Sequence, residues 1–366
     1  LSKRKDNQMA FPKASGYTNL NNGVFSPVIY SQKTQLAFRK SSVCEAITNT
    51  DYTGSIANHG DSVKIIKEPE ITINSLERGT TLAQQVLVDT DFTMVVDQAN
   101  YFQFALDDIE QAHSHVNFMD LATDRAAYKL ADAFDEEILG YLSGWKGGAG
   151  SWARRSASGD INGTKANSAA GNDELLAANS LNITSFGGSD IGGASEVTSI
   201  PIQPGGGAGG ITSPLQLMNR MSRLMDQANV PQDGRWFVAD PVFYETLMDE
   251  DSKFVNNDYA SGSVDILRNG KMSSKTVRGF TIYNSNNLPY LGTGPGTAAT
   301  AGSEANFGVI VAGHKSAIAS ASQLAKTEKF RSPTTFSDIV RGMQLYARKI
   351  LRPEAIMTAV YNVHSV

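Results

Sequence analysis

The sequence predicts an α+β fold in which a long β-hairpin and a long helix accompany a compact α/β module. Three observations lead to this prediction. Strand-like runs lie on both sides of a glycine turn, a helical pattern of unusual length follows them, and residues 213–326 then alternate between helix and strand. Strand-rich sequence closes the chain, so strands and helices are partly segregated along it.

Length and composition place broad limits on the chain. Its 366 residues exceed the size of most single cores, so one large core or two to three smaller ones are expected. A net charge of −5 gives no general attraction to nucleic acid or to an anionic membrane. The single cysteine, Cys44, has no partner for an intrachain disulfide and is expected to be a small buried side chain in a protein from a reducing cytoplasm. No apolar run is long enough to span a bilayer.

The first 50 residues predict an arm that carries one short helix. Leu1–Phe25 is polar, with clusters of glycine and asparagine, and offers little apolar surface for a core. An amphipathic pattern predicts the helix over Ser26–Arg39. Because the arm has so little core of its own, we expect it to lie against another surface.

Residues 51–100 predict a long β-hairpin. Its strands are predicted over Val63–Ile73 and Val86–Asp97, and Gly79 is the expected left-handed position of the connecting turn. Apolar side chains occur on both faces of the second strand. Phe92, Met94 and Val96 share one face, and Val95 lies on the other face between Thr93 and Asp97. We therefore expect a further surface to cover the second face.

A long helical pattern follows the hairpin directly. Asp107 and Glu110 have the spacing of a capping box, and apolar residues then recur at helical spacing as far as Leu142. A continuous helix over this range would be on the order of 50 Å long at 1.5 Å per residue. The alternative is a bend near Asn117, with Asp120 capping a second helix. Either form predicts a strut with an apolar stripe on one side.

Glycine accumulates in the remainder of residues 101–212. Between Gly144 and Thr212 it is mixed with serine, alanine and asparagine, and the segment ends in PGGGAGG. This composition predicts a long surface insertion or a flexible loop, because it offers little apolar area to offset the entropy of ordering.

Residues 213–326 predict the compact α/β module, and residues 327–366 predict returning strands, with Pro353 breaking the last of them. The module's predicted helices are Ser213–Val230, a short one after Pro241, and His314–Phe330. Its predicted strands are Arg235–Asp240, Gly279–Ser285 and Phe307–Gly313.

No arrangement of residues points to catalysis, a cofactor or a metal. His113 and His115 are two positions apart and would point to different sides of a helix. The glycines of Leu291–Ala299 lack the lysine of a phosphate-binding loop. The acids Asp135–Glu137 are expected to form a solvated helix face. Because no nucleophile–base pair can be placed either, we predict that the chain is not an enzyme.

Four stretches, taken in order, carry a resemblance to a known family. They are YFQFALDDIE (Tyr101–Glu110), GRWFVADPVFYETLM (Gly234–Met248), VRGFTIYNSNNLP (Val277–Pro289) and the segment Ala317–Ile356. In order and spacing they resemble the major capsid proteins of tailed bacteriophages with the HK97 fold, over nearly the whole chain. The fold implied is an N-terminal arm (1–50), an E-loop hairpin (51–100), a peripheral domain with the spine helix and a glycine-rich insertion (101–212), an axial domain (213–326) and return strands of the peripheral domain (327–366).

The resemblance implies a coat protein that assembles into hexamers and pentamers of an icosahedral head enclosing double-stranded DNA, without sequence-specific binding and without a membrane. It implies a scaffolding protein, supplied by another chain or a removed segment, a portal protein and, in some heads, a cement protein. The implied location is the virion, after assembly in the cytoplasm of a bacterial host. Two alternatives stay open: an encapsulin-like compartment shell, and an enzyme of another class that uses acids of the long helix.

Charged side chains are predicted to act between subunits. Glu77 and Arg78 precede Gly79 in a turn too far from the predicted cores to be needed for folding. Near the C terminus, acids intersperse a group of basic residues, so salt bridges between subunits are expected there and not a nucleic-acid site. The predicted contacts for the tip on a neighbouring chain are Glu328, Arg331, Asp338 and Arg341.

Overall fold

The computed structural model describes residues 42–52, 62–67, 69, 71–75, 78–79, 84–85, 90–96, 98–108, 118–148, 151–154, 175–176, 179–188, 199–207, 210–249, 276–291 and 307–363. Several sequence predictions lie outside these residues. They are the helix over Ser26–Arg39, the tip residue Glu77, the pair His113 and His115, and the glycines after Leu291.

Four α-helices and fifteen strands are assigned within the described residues. The helices are α1 (Cys44–Ile47), α2 (Phe118–Ser143), α3 (Pro214–Gln227) and α4 (Pro241–Leu247). The strands are β1 (Ser62–Lys67), β2 (Thr90–Val95), β3 (Gln98–Asp107), β4 (Trp145–Gly148), β5 (Ser151–Arg154), β6 (Ser180–Leu181), β7 (Ile200–Ile202), β8 (Arg235–Ala239), β9 (Thr276–Val277), β10 (Phe280–Asn284), β11 (Tyr290–Leu291), β12 (Phe307–His314), β13 (Ile318–Arg331), β14 (Ser337–Ile350) and β15 (Ile356–Val363).

The predicted β-hairpin is confirmed. Strands β1 and β2 pair antiparallel, with the first residue of β1 opposite the last residue of β2. Gly79 lies in a turn of the connection with φ +97°, as predicted. Strand β1 is shorter than predicted, since residues 71–75 have no regular secondary structure, and residues 86–89 of the second predicted strand lie outside the described residues. At the root, Met94 is fully buried beside Ala319 and Ala347, so this part of the hairpin packs on its own chain.

A three-stranded antiparallel sheet combines β3 with β13 and β14, in the order β13–β14–β3. The predicted helix over His314–Phe330 is wrong, because most of that range forms β13, which pairs with β14 over almost its whole length. Alanine, lysine and glutamate in this range favour a helix locally, but the ladder of hydrogen bonds to β14 overrides that preference. The two strands form a stiff hairpin with an irregularity between Ser322 and Leu324.

The long helix is confirmed over 26 residues, and at 1.5 Å per residue it is about 39 Å long. Gly144, with φ +79°, follows its end. Asp107, predicted to cap the helix, is the last residue of β3, and residues 109–117 lie outside the described residues. The interpretation of Asp135–Glu137 as a solvated face is wrong for Asp135, whose exposed fraction is 0%.

An eight-stranded mixed sheet forms the centre of the α/β module, with the path β6–β15–β12–β8–β10–β9; β7 also pairs with β15, and β11 also pairs with β12. Two sequence expectations need correction here. The glycine-rich segment, predicted as a surface insertion, supplies β6 and β7, whose Leu181, Ile200 and Ile202 are buried because they pair with β15. Strand β15, predicted with the return strands of the peripheral domain, also belongs to this sheet through its pairing with β12.

Helices α3 and α4 of the module are confirmed. The Ser213 side chain accepts a hydrogen bond from the backbone N–H of Gln216 at 3.2 Å and so caps α3, and Asp240 caps α4 in the same way. Proline at the first position of each helix suits a cap, since its missing N–H would have no partner there. The apolar face of α3 is fully buried through Leu217, Met218, Met221 and Met225.

Candidate interaction surface

The outer face of the three-stranded sheet is the first candidate surface. Side chains of β3 alternate between half-buried and exposed, so every second residue points away from α2. Tyr101 is 80% exposed and lies opposite Met343 of β14, which is 41% exposed. Lys326 of β13 is the next cross-strand neighbour of Met343. Tyr101 and Met343 therefore form an exposed apolar patch beside charged residues, and we call these two residues the outer patch.

Glu328 and Arg341, two of the predicted contact residues, face each other across β13 and β14. Nη2 of Arg341 lies 2.7 Å from Oε2 of Glu328, and Lys326 forms a second ion pair with the same carboxylate. Hydrogen bonds from Lys326 and then Arg341 lower the pKa of Glu328 to about 2. The Arg341 guanidinium also lies 4.9 Å from the centroid of the Phe330 ring.

Arg331 and Asp338, the other two predicted contacts, also pair within the chain. Nη1 of Arg331 donates to Oδ1 of Asp108 at 2.9 Å, and Asp338 binds Lys329 at 3.0 Å. The hydrogen bond from Lys329 lowers the pKa of Asp338, and the one to Asp108 raises the pKa of Arg331. The structure thus brings all four C-terminal candidates onto one hairpin as a nearly self-compensated set of charges.

The hairpin of β1 and β2 and the segment that follows β1 carry three strongly exposed isoleucines. Beyond the paired part, Ile71 is 65% exposed and Ile73 is 94% exposed, and Ile66 at the end of β1 is 72% exposed. Arg78 lies in the turn next to Gly79 and is exposed. Period-2 patterning predicted an uncovered apolar face on this hairpin, but it did not single out these isoleucines.

A groove of about 820 Å³ separates α1, α2 and the three-stranded sheet. Phe102 lines it from β3, and Ala127, Leu130 and Phe134 line it from α2. Ser42, the first described residue, lies at its edge, so residues 1–41 join the described chain beside this groove. The groove is a second candidate contact surface.

Two kinds of site are not found among the described residues. In those ranges no group of three or more histidine, cysteine, aspartate or glutamate side chains could hold a metal ion. Likewise, no described helix is both long enough and apolar enough to cross a membrane.

Solved structures share the fold over most of the chain. A structure from Mycobacterium phage Che8 matches 93% of this chain and 98% of its own, with a TM-score of 0.62 and 20% identity. The capsid structure of the Cyanophage P-SCSP1u matches 93% of this chain and 94% of its own, with a TM-score of 0.60 and 16% identity. The chain has a phage capsid fold. The capsid of Ralstonia phage GP4 matches 96% of this chain and 99% of its own, with a TM-score of 0.59 and 12% identity.

The comparison confirms, for the fold, the resemblance inferred from sequence. No protein-family profile matches the chain. No curated protein matches it either. At 12 to 20% identity the likeness to the three structures is carried by the arrangement of the backbone. The capsid fold therefore follows from tertiary structure, and what the subunit does in an assembly is a separate question.

Proposed function

We propose that the chain is the major capsid protein of a phage head, and that its copies assemble as hexamers and pentamers around double-stranded DNA. The observation that carries this proposal is the extent of the shared fold, which covers 91% or more of this chain and of the capsids of cyanophage P-SCSP1u, phage PhiM1 and phage GP4. A subunit that shares nearly all of a capsid fold has the elements needed to form a shell.

Neighbouring copies are linked by a contact between Ile71 and Ile73, beyond the paired part of the β1–β2 hairpin of one subunit, and the outer patch of the next. Ile71 and Ile73 are two positions apart and would share one face of an extended segment. Tyr101 and Met343 offer an exposed apolar surface to receive them. Each buried isoleucine would contribute about 1.5–3 kcal/mol. Because the two surfaces differ and lie on the same chain, the contact is heterologous and closes into rings when the rotation allows it.

The charges beside the outer patch set orientation more than affinity. Exposed ion pairs contribute little because water and salt screen them, so Glu328 and Arg341 add little to the stability of their own hairpin. Because Arg341 and Lys326 already pair with Glu328, a neighbouring Arg78 that approaches this carboxylate also meets two positive charges. Like-charge contacts disfavour wrong arrangements at every repeated copy of the interface.

The remaining partners of the proposal follow from capsid biology. A scaffolding protein, a portal and, in some heads, a cement protein would act on the shell, which assembles in the host cytoplasm and becomes part of the virion. The net charge of −5 suits a wall that encloses DNA without binding it tightly.

The test compares two disruptions of the same proposed contact. Ile71→Ser with Ile73→Ser, and separately Tyr101→Ser with Met343→Ser, should each abolish or distort particles seen by negative-stain electron microscopy while the subunit unfolds normally. Leu176→Ser, at an apolar residue that is 43% exposed, is the matched control and should leave particle yield unchanged.

Nuclease-protected DNA in purified particles would support the phage head. Particles that hold protein cargo and no DNA would identify a compartment shell instead. A wild-type chain that stays monomeric at high concentration with its scaffold would refute the assembly itself.

A further inference from the structure

Two carboxylates of α2 are buried one helical turn apart. Asp132 is 7% exposed and Asp135 is 0% exposed. Between them lies the side-chain amide of Asn287, whose Nδ2 donates to Oδ1 of Asp132 and to Oδ2 of Asp135, at 3.0 Å in each case. Asn287 belongs to the loop between β10 and β11 of the eight-stranded sheet and is itself 2% exposed. One amide therefore ties the long helix to the α/β module.

The other oxygen of Asp135 holds the end of the described N-terminal segment. Its Oδ1 accepts from the hydroxyl of Ser42 and from the backbone N–H groups of Val43 and Cys44, at 2.9 Å each. The Cys44 thiol adds a contact of 3.6 Å to the backbone carbonyl of Asp135. Asp135 thus receives donors from residues 42–44 on one side and from Asn287 on the other.

Thr48 and Asn49, which follow this contact, form hydrogen bonds with a third element, β13. The Thr48 hydroxyl accepts from the Ser320 hydroxyl at 2.8 Å, and Asn49 exchanges backbone hydrogen bonds with β13 at 2.9 and 3.0 Å. Residues 42–49 are therefore anchored at both ends, and the position of residues 42–44 depends on Asp135.

The chemistry of Asn287 indicates that its donors matter more than its packing. Its Oδ1 is buried without a hydrogen-bond partner among the described residues. An unpaired buried acceptor costs stability, which an apolar side chain of similar size would avoid. The amide orientation is determined by the carboxylates, because reversing it would place Oδ1 against two anionic groups.

We infer that Asn287 is a clamp that couples the α/β module to the N-terminal arm through Asp135. While the amide bridges the two carboxylates, it holds Asp135 in the rotamer that receives residues 42–44. A displacement of the module relative to α2 would release the amide, leave two neighbouring carboxylates without their shared donor, and loosen the root of the arm. The clamp thus transmits the position of the α/β module to residues 42–44.

Hydrogen exchange of the unassembled full-length subunit tests this inference, and it needs no shell to form. Asn287→Ala should raise the exchange rates of the Val43 and Cys44 amides by about tenfold, although the Asn287 amide bonds to the two carboxylates and not to these residues. Asn286→Ala, at the exposed neighbouring asparagine of the same loop, should leave both rates unchanged. Asp135→Ala removes the acceptor directly and sets the upper limit of the effect.

Protection of α3 must stay as in the wild type, which shows that the module is folded. A folded Asn287→Ala subunit with unchanged exchange at Val43 and Cys44 would overturn the clamp. If that variant does not fold, Asn287→Ser, which keeps one donor on a shorter side chain, should give a smaller increase at the same two amides. A response of Asn287→Ser confined to the β10–β11 loop would overturn the clamp equally.

Discussion

A single methyl group at Gly342 should strain the three-stranded sheet. Gly342 of β14 lies directly opposite Phe102 of β3, and the Phe102 ring covers it. A Cβ at position 342 would lie 2.7 Å from Cζ of Phe102 and closer still to Cε1. The ring stacks on Phe104 at a centroid distance of 6.1 Å, so moving it away disturbs a second aromatic side chain.

Overpacking of this kind costs about 1–3 kcal/mol, while replacing glycine by alanine in a strand returns about 0.5–1 kcal/mol. We therefore expect Gly342→Ala to lower the free energy of unfolding by about 1–2 kcal/mol. The partner variant Phe102→Leu removes the ring and should reverse the sign, so that alanine at 342 becomes neutral or slightly stabilising in that background.

Urea unfolding of the unassembled subunit, followed by circular dichroism, measures all four proteins of this double-mutant cycle. The reasoning fails if Gly342→Ala is as stable as the wild type, or if its cost persists without the Phe102 ring. In the first case the ring moves at no cost, and in the second the strain comes from the strand and not from the aromatic contact.

Three further perturbations test the surface and the glycine-rich segment. Arg78→Glu should leave thermal unfolding normal but reduce the yield of particles, more strongly at low salt. A normal yield at low salt would show that the charge of Arg78 has no role in assembly. Because the pKa of Glu328 lies at about 2, below its ordinary 4.5, its ion pairs stabilise the hairpin above about pH 4.5 and lose this effect as the pH falls toward 2. Glu328→Gln should flatten that small acid-range slope in unfolding titrations, and an unaltered slope would contradict the assignment. Gly210→Ala should destabilise the subunit by about 1–3 kcal/mol, since residue 210 has φ +93° and a Cβ would meet a backbone atom at 2.9 Å. Gly205→Ala, which meets nothing within 4 Å, is its control, and equal stabilities would refute the packing argument.

Local sequence signals determined the elements whose stability is local. Helix α3 is stabilised by local features, since a serine cap, a proline at the first position and an apolar stripe all lie within one segment. Strands β8 and β12 were predicted because each is a short apolar run that is buried on both faces. The order of such elements was enough to suggest the capsid fold. The uncovered face of the hairpin was visible in its alternation.

Tertiary structure alone decided the features that depend on distant partners. Strand β13 has a helix-favouring composition, and only its pairing with β14 makes it a strand. Strands β6 and β7 are two and three residues long, too short for any periodicity, and exist because β15 offers them an edge. Asp135 looked like a solvated acid, yet its partners lie 91 to 93 and 152 residues away along the chain. Burying a carboxylate is costly unless donors surround it, and only the folded chain brings those donors together.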